Sequence, residues 1–299
     1  MLRRDFIKTC GLCALSGFIL SGCNSENSNK NFKETDKHIP HIEIPICYHC
    51  NLDCASCDHF APLAPVYEMP VDVFKKDVKQ LAKVTKGKIK EIFFIGGEPT
   101  LHKKIEKLMA IVRHYFPLSE ISIITNGLKL NDMSEKFWKA AGKYDIKVKF
   151  TRYIKCEYYP KNFDIAEANA KKYNADLKEY HTADTFMNTQ LSTKAIFDKN
   201  ETYKKCNDKV ICSMLDNGNL YTCAMQGCIR FLNHNFKDKQ IPLYDDDKLD
   251  IYRVSSIDEI IDFYRKPKNI CAHCGYYMNL KATPWHHTER IASEWYMDT

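Results

Sequence analysis

The sequence lacks long hydrophobic runs, stretches rich in glycine or proline, and a large excess of either charge. Its 299 residues contain only 11 glycines and 11 prolines, which excludes a collagen-like fibre. Hydrophobic residues make up 44% of the chain and charged residues 27%, so the composition is that of an ordinary soluble protein. These proportions exclude both wholesale disorder and a protein that crosses the membrane many times.

Positive and negative charges are nearly balanced. The chain has 44 Lys and Arg against 38 Asp and Glu, which gives a formal net charge of +6 at pH 7. Basic and acidic residues alternate along most segments, and this pattern indicates solvated helix faces rather than a basic surface for nucleic acid. We therefore expect no nucleic-acid partner.

Cysteine, by contrast, is abundant, with 14 residues in the chain. So many cysteines in a cytosolic chain of this size indicate metal binding or redox chemistry. A disulfide scaffold is disfavoured, because such scaffolds are small and rich in loops whereas this chain has long helical patterns.

Residues 1–23 resemble an export signal. A pair of arginines precedes an apolar run, Thr9 to Leu20, that is too short to span a bilayer. The charged start resembles a twin-arginine signal, and the Leu-Ser-Gly-Cys that ends at Cys23 resembles a bacterial lipobox, whose cysteine is lipidated after cleavage. The alternative is an apolar N-terminal helix that stays attached. Residues 24–40 are polar and predict a tether.

Strand and helix patterns alternate after the tether. Alternating isoleucines predict a strand over residues 42–47, and apolar residues at helical spacing predict a helix over 71–85. The alternation continues with strands at 90–95, 120–125, 146–151 and 175–180, and with helices at about 105–112, 134–141 and 165–173. This order predicts an α/β fold of parallel β/α units, either an open sheet or a partial barrel, whose ligands collect at the carboxyl ends of the strands.

These patterns divide the rest of the chain into four parts. A barrel domain at 41–181 is followed by a polar linker at 182–205, a second cysteine-rich module at 206–280 and a tail at 281–299. Within the second module, Ser256-x-x-Glu259 is a capping box that predicts a short helix.

Three cysteines follow the first predicted strand in a C-x3-C-x2-C pattern: Cys50, Cys54 and Cys57. Closely spaced thiolates can bind one inorganic cluster from a single loop, whereas zinc sites favour two C-x2-C pairs far apart in sequence. Cys47 lies just before the triplet and would complete the four-thiolate cluster of an electron carrier. Its position at the end of an alternating apolar strand favours a buried cysteine instead, so we expect three ligands.

The segment Gly96-Gly97-Glu98-Pro99 follows the second predicted strand. Its two glycines permit close approach of another backbone segment, and Glu98 offers a carboxylate to an ammonium group. Together with the cysteine triplet, this tetrapeptide resembles the radical S-adenosylmethionine (radical SAM) enzyme superfamily over about residues 42–180.

The resemblance implies a partial (β/α)6, TIM-like barrel in which the triplet holds a [4Fe–4S] cluster and the iron without a thiolate binds SAM. The residues implied as SAM contacts are Gly96, Gly97, Glu98, Asn126 and Arg152. Among them, Glu98 would lie near the ammonium group, Asn126 at the ribose and Arg152 at the carboxylate. The sequence departs from the family at Ser56, where many members carry an aromatic residue near the adenine.

The later cysteines resemble the C-terminal SPASM or twitch extension of these enzymes, a small iron–sulfur module. Gly218 permits a hairpin turn that returns Cys223 towards the preceding cysteines. The ligands implied for one auxiliary [4Fe–4S] cluster are Cys206, Cys223, Cys271 and Cys274, with Cys212 as the competitor to Cys206. A structural zinc held by the same four cysteines is the alternative.

By this resemblance the protein is an enzyme that cleaves SAM reductively and abstracts a hydrogen from a peptide or small-molecule substrate, which it oxidises or cross-links. A low-potential donor of the flavodoxin or ferredoxin type would supply the electron. The alternative is a membrane-tethered, ferredoxin-like electron carrier that uses Cys47 with the triplet. That alternative explains an exported redox lipoprotein but leaves the Gly-Gly-Glu-Pro segment unexplained.

The leader and the chemistry favour different locations. The leader indicates export and membrane attachment, whereas SAM and low-potential reductants are normally cytoplasmic. A twin-arginine route carries folded, cofactor-loaded proteins, but it does not supply SAM outside the cell. We expect membrane association through residues 1–23, with a cytoplasmic protein as the alternative.

Replacement of Cys23 by alanine tests the leader. If residues 1–23 are a lipoprotein signal, Cys23→Ala slows processing or releases the protein, because the sulfur that carries the lipid is absent. The measurement is cell fractionation with external protease on spheroplasts, which cuts an exported protein and spares a cytoplasmic one. Full-length, unlipidated wild-type protein in the soluble fraction would contradict the signal.

Overall fold

The computed structural model describes residues 37–207, 209, 212–276 and 281–297. The predicted signal, the lipidation site at Cys23 and most of the predicted tether lie outside the described residues. In the part of the chain that is described, no helix is long and apolar enough to cross a membrane.

Five parallel strands form the first part of the main sheet. They are β1 (Ile39–Cys47), β2 (Ile89–Gly96), β3 (Glu120–Thr125), β4 (Ile146–Tyr153) and β5 (Leu177–Ala183). Each strand pairs with the next, so the order across the sheet is β5-β4-β3-β2-β1. The connections contain α1 (Val71–Thr85), α2 (Ile105–Tyr115), α3 (Glu135–Lys143) and α4 (Asp164–Lys172). The predicted parallel β/α units are therefore confirmed.

One face of this sheet packs against the helices because the strands alternate in sequence. In β1, Ile42, Ile44 and Ile46 are at most 1% exposed and belong to the main hydrophobic core. Phe74 and Val78, four residues apart on one face of α1, join the same core. Each such side chain contributes about 1.5–3 kcal/mol on burial, so a shift of one residue in a strand would be costly. The opposite face of the strands is left to line the interior.

The predicted linker at 182–205 contains two regular elements. They are β6 (Thr185–Asn188) and α5 (Lys199–Lys205). Asp198 caps α5, because its carboxylate accepts hydrogen bonds from the N–H groups of Asn200 and Glu201. Elements this short show too little periodicity to be recognised among polar residues, so the prediction of an irregular linker was wrong.

Three short strands extend the main sheet beyond β1: β7 (Met214–Asp216), β8 (Asn219–Tyr221) and β9 (Leu249–Asp250). β7 runs parallel to β1, and the next two pairings are antiparallel. Asn217 and Gly218 have φ of 46° and 76° and form the turn of the β7–β8 hairpin, which confirms the predicted turn. The sheet therefore continues across the predicted boundary between the barrel domain and the second module.

Two helices accompany these strands: α6 (Ala224–Asn235) and α7 (Ile257–Tyr264). α7 begins at the predicted capping box, where Ser256 Oγ accepts a hydrogen bond from the Glu259 N–H at 3.4 Å. The Glu259 carboxylate accepts in return from the Ser255 N–H at 3.0 Å. α6 was not predicted; it starts directly after Cys223.

The predicted tail is a folded part of the molecule. β10 (Lys281–Pro284) pairs antiparallel with β6 in a second, two-stranded sheet. The chain then runs back to the loop that carries the cysteine triplet, where the Ala55 N–H donates to His286 O at 3.1 Å. Interpretation of residues 281–299 as a tail was wrong because the partners of this segment lie far away in sequence.

Candidate cluster and cofactor site

A cavity of about 50 Å³ lies at the carboxyl ends of the parallel strands. Its lining includes Cys50, Cys54, Cys57, Gly96, Gly97 and Asn126. The other lining residues are Leu52, Ala61, Ile95, Ile124, Thr125, Thr151 and Tyr153. The structure therefore brings the cysteine triplet, the glycine pair and Asn126 together at the edge where β/α folds bind ligands.

The three thiols of the triplet are surrounded by hydrogen-bond donors. Burial raises the pKa of each thiol, so a thiolate there depends on a metal or on nearby donors. The Leu52 N–H and the Asn126 Nδ2 group donate to Cys50 Sγ at 3.4 and 3.5 Å. The Trp285 Nε1–H donates to Cys54 Sγ at 3.1 Å. Three sulfur ligands with such donors fit the cluster that the sequence predicts.

Cys47 is held apart from the triplet. Its side chain is fully buried at the end of β1, and the cavity-lining residues of the described chain do not include it. Its carbonyl oxygen accepts a hydrogen bond from the Gly97 N–H at 2.8 Å. This geometry favours three cluster ligands over four.

The glycine pair is required by close backbone approach. Gly96 has φ of 126°, and a Cβ at this position would lie 2.0 Å from Cys47 O. A Cβ on Gly97 would lie 2.0 Å from His49 O. Both contacts are with backbone atoms, so rotation of a side chain cannot relieve them. The glycines thus allow the end of β2 to lie against the start of the cysteine loop.

Glu98 turns its carboxylate towards the protein rather than into the cavity. The residue is 1% exposed, and its Oε1 accepts hydrogen bonds from the N–H and hydroxyl of Thr100 and from the hydroxyl of Thr125. Oε2 accepts from the Asn126 N–H at 2.8 Å. Burial raises the pKa of this carboxyl, and the hydrogen bonds oppose the shift. The Glu98 carboxylate thus joins the ends of β2 and β3. Its contact with the ammonium group of SAM stays a prediction.

Asn126 lies at the cavity beside the triplet, with its amide held by the surrounding loops. Its Nδ2 group donates to Asn51 Oδ1 at 2.8 Å, and its Oδ1 accepts from the Leu128 N–H at 3.0 Å. Its contact with a ribose stays a prediction.

Arg152 faces away from the cavity. Its neighbours Thr151 and Tyr153 line the cavity, and the alternation of β4 puts the residue between them on the opposite face. There its Nε donates to Glu179 Oε2 at 2.8 Å, and its guanidinium lies over the ring of Phe163. In the structure Arg152 thus contacts Glu179 and Phe163. Its contact with a SAM carboxylate stays a prediction.

The later cysteines lie partly at the contact between α5 and the 3-10 helix Asn269–His273. Cys206 follows α5 directly, Cys271 lies within the 3-10 helix, and Cys274 ends it. Burial raises the pKa of Tyr203 to about 12, with added contributions from nearby Cys271 and Cys206. The structure thus brings Cys206 and Cys271 to the same tyrosine.

Two further cysteines complete the set expected from the sequence. Cys223 lies at the start of α6, and Cys212 is buried just before β7. Because Cys206 and Cys271 share the same surroundings, Cys206 is favoured over Cys212 as the partner of Cys271.

Among the described residues, no group of three or more His, Cys, Asp or Glu side chains is arranged to hold a single metal ion.

Sequence reasoning missed two aromatic residues of the site. Tyr153 could have been found, because Val148 and Phe150 face the core and the alternation of β4 then turns Tyr153 inward. Trp285 had no local signal, since it lies 231 residues from Cys54 in the sequence.

The cysteine loop and the glycine pair lie within a segment that matches a known family. Residues 44–151 match the family described as Radical SAM superfamily. This segment begins in β1, contains both motifs and ends in β4. The match supports the radical SAM superfamily, and with it a SAM-binding [4Fe–4S] cluster.

Curated relatives of this superfamily match part of the chain. The chain is 28% identical over 133 residues to the S-adenosylmethionine-dependent nucleotide dehydratase of Oncorhynchus mykiss, which covers 42% of this chain and 34% of the relative. It is 30% identical over 115 residues to the GTP 3′,8-cyclase of Clostridium botulinum, which covers 36% of this chain and 35% of the relative. The chain thus spans about a third of the length of the curated relatives it matches. Both relatives are described as enzymes, a dehydratase and a cyclase.

Solved structures extend the likeness in fold to most of the chain. The crystal structure of BtrN in complex with AdoMet and 2-DOIA is 19% identical, with a TM-score of 0.51 over 80% of this chain and 94% of that one. Native anSMEcpe with bound AdoMet is 16% identical, with a TM-score of 0.50 over 80% of this chain and 84% of that one. At these identities the likeness concerns the fold, a mixed α/β architecture with a parallel sheet.

Replacement of Glu98 by glutamine tests the tie between β2 and β3. Glu98→Gln puts an NH2 group where a carboxylate oxygen accepts, so in either orientation of the amide a buried donor faces another donor. We expect the free energy of unfolding to fall by about 2 kcal/mol. Urea denaturation measures this as a lower midpoint with an unchanged slope.

Glu135→Gln is the matched control. Glu135 pairs with Lys172 on the exposed surface, where an ion pair contributes little. We expect its urea midpoint to stay close to that of the wild type. Equal midpoints for the two variants would contradict a structural role for Glu98.

Proposed function

We propose that the protein is a radical SAM enzyme that oxidises or cross-links a peptide or a small molecule. Cys50, Cys54 and Cys57 hold a [4Fe–4S] cluster, and the backbone of Gly96 and Gly97 lines the place of the methionine part of SAM. The bound cluster and SAM supply a one-electron reductive cleavage and, from it, a radical that abstracts a substrate hydrogen. A low-potential donor of the flavodoxin or ferredoxin type delivers the electron.

The observation that carries this proposal is the cavity shared by the triplet and the glycine pair. Thiols alone would also suit an electron carrier, which needs a cluster closed off from other ligands. Here the wall next to the sulfurs includes the backbone of Gly96 and Gly97, which carries no side chains. Such a wall gives a small polar ligand access to the peptide groups beside the cluster.

The rest of the wall suits radical chemistry. Leu52, Ile95 and Ile124 supply apolar surface, and Tyr153 closes the side formed by β4. An apolar wall keeps water away from the reacting atoms and so protects a reactive intermediate from side reactions. Glu98 supports the cavity wall indirectly, because its carboxylate accepts a hydrogen bond that orients the backbone of Asn126 at the cavity edge.

The rival function, a ferredoxin-like electron carrier, requires Cys47 as the fourth ligand. The Cys47 side chain is buried at the end of β1, and its carbonyl is bonded to the Gly97 N–H. To act as a ligand, this thiol would have to leave its buried position at the end of β1. The carrier is therefore the less favoured function.

The proposal extends to one auxiliary [4Fe–4S] cluster on Cys206, Cys223, Cys271 and Cys274. The shared surroundings of Cys206 and Cys271, together with the C-x2-C spacing of the last two cysteines, support it. This cluster would accept an electron from the substrate or bind the substrate directly. A structural zinc is the alternative, and residues 1–23 are proposed to attach the enzyme to the membrane.

The function is tested by two cysteine variants. Cys54→Ala removes a ligand of the site cluster, so we expect loss of SAM cleavage and of about four irons per chain. Cys47→Ala is the matched control, because it removes a nearby thiol that lies outside the cavity, and we expect it to retain both. The measurements are iron and sulfide analysis of anaerobically reconstituted protein and SAM cleavage under dithionite. Loss of the site cluster in Cys47→Ala to the same extent would favour the carrier.

The auxiliary cluster is tested in a chain that lacks the triplet. The variant with alanine at Cys50, Cys54 and Cys57 should still bind about four irons, because the auxiliary ligands lie in the second half of the chain. Iron, sulfide and zinc analysis with absorption spectroscopy measures this content. Zinc alone, or no metal, would remove the auxiliary cluster from the proposal.

A further inference from the structure

The segment after β10 packs against the loop that carries the cysteine triplet. Three hydrogen bonds join the two: Ala55 N–H to His286 O (3.1 Å), Thr288 N–H to Asp53 O (3.0 Å) and Ser56 Oγ–H to Glu294 O (2.8 Å). An isolated antiparallel bridge between Cys54 and His287 lies among them. The cysteine loop is therefore held along its length by residues from the other end of the chain.

Two indole N–H groups of this segment reach the loop, and they meet different acceptors. Trp285 Nε1 donates to Cys54 Sγ at 3.1 Å, whereas Trp295 Nε1 donates to the backbone oxygen of Cys57 at 3.1 Å. The third tryptophan of the chain, Trp138, is fully buried in the main core, and its Nε1 has no hydrogen-bond partner among the described residues. The three tryptophans thus differ in the acceptor of the indole N–H, which is a sulfur, a carbonyl oxygen or none, and they can be compared by the same substitution.

The position of Trp285 is set by packing rather than by the sulfur. The residue is 5% exposed, and its ring lies edge-on to Tyr153 with 5.7 Å between centroids. Its backbone N–H donates to Asp184 O at 2.9 Å, and Phe186 belongs to the same hydrophobic cluster. These contacts hold the ring in the orientation that aims its N–H at Cys54 Sγ.

We propose that Trp285 is a positioning residue for the site cluster, and that its indole N–H stabilises the Cys54 thiolate and raises the reduction potential of that cluster. This inference rests on the proposed function, since it requires a cluster on the triplet. Trp285 is absent from the cavity-lining residues of the described chain, so it acts through Cys54 and leaves the ligand space open.

The direction of the effect follows from charge. Reduction adds one electron to a cluster whose sulfurs already carry negative charge, and a hydrogen bond to a ligand sulfur stabilises the more negative state. Cys54 is 6% exposed, so water has little access to replace the indole as a donor. Loss of the N–H therefore makes the cluster harder to reduce.

The test is the potential of the site cluster in three tryptophan-to-phenylalanine variants of the full-length, anaerobically reconstituted protein. We expect Trp285→Phe to lower the equilibrium constant of reduction about tenfold, a shift of about 59 mV towards negative potential for a one-electron couple. Trp295→Phe removes an N–H that meets a carbonyl, and Trp138→Phe removes one without a partner, so both should keep the wild-type potential. The measurement is a redox titration followed by electron paramagnetic resonance, with the site cluster identified as the signal that changes when SAM is added.

The possible outcomes distinguish failure of this inference from failure of the proposed function. A wild-type protein that binds no [4Fe–4S] cluster on the triplet would overturn the proposed function. A normal cluster with the same potential in Trp285→Phe and wild type would overturn the inference alone. An equal shift in Trp295→Phe would also overturn it, because general loosening of the loop would then explain the result.

A second measurement leaves Trp285 in place and remains decisive if Trp285→Phe fails to fold. The Trp295→Phe variant, labelled with 15N in its indole rings, is reduced and examined by electron spin echo envelope modulation. Of its two labelled indoles, that of Trp285 contacts the cysteine loop and that of Trp138 lies in the main core. We expect a 15N coupling to the site cluster, since the Trp285 nitrogen lies 3.1 Å from a ligand sulfur. A reduced site cluster without this coupling would overturn the proposal.

Discussion

The close backbone contact between the end of β1 and the end of β2 is the constraint on which the site depends. Cys47 O accepts from the Gly97 N–H at 2.8 Å, and His49 O accepts from the Glu98 N–H at 2.9 Å. Because the cysteine loop begins immediately after these carbonyls, the contact sets the distance between the sulfurs and the glycine wall. A side chain at either glycine would push the two walls apart, so the spacing of the cavity is determined by the absence of two Cβ atoms.

Glu98 connects the end of β2 to the next strand of the sheet, β3. Its carboxylate is buried and accepts hydrogen bonds from the next turn of its own chain and from the end of β3. In a medium of low polarity such hydrogen bonds are strong, and a donor without an acceptor there lowers the free energy of unfolding. The acidic residue of the tetrapeptide therefore has a structural role that accounts for its burial.

Hydrophobic periodicity was sufficient to predict the first half of the fold. In strands such as β1 and helices such as α1, side chains alternate between the core and the exterior over many residues. The cysteine triplet and the glycine pair were predictable for the same reason: both follow strands whose ends meet at one edge. The hydrogen bonds of Glu98 and the ion pair of Arg152 with Glu179 were not foreseen, since residue type alone cannot tell which face of a strand end a charge occupies or which donors surround it. α6, β6 and the Trp285 contact depend on partners distant in sequence, and no local pattern reveals them.

The contact of Trp285 with Cys54 also relates the site to the order in which the chain is made. Protein synthesis adds about 5–20 residues each second, so the 231 residues between these partners take on the order of ten to fifty seconds to appear. For that interval the cysteine loop has been synthesised while the segment that covers it does not yet exist. The environment of the cluster is thus completed well after its ligands have been made.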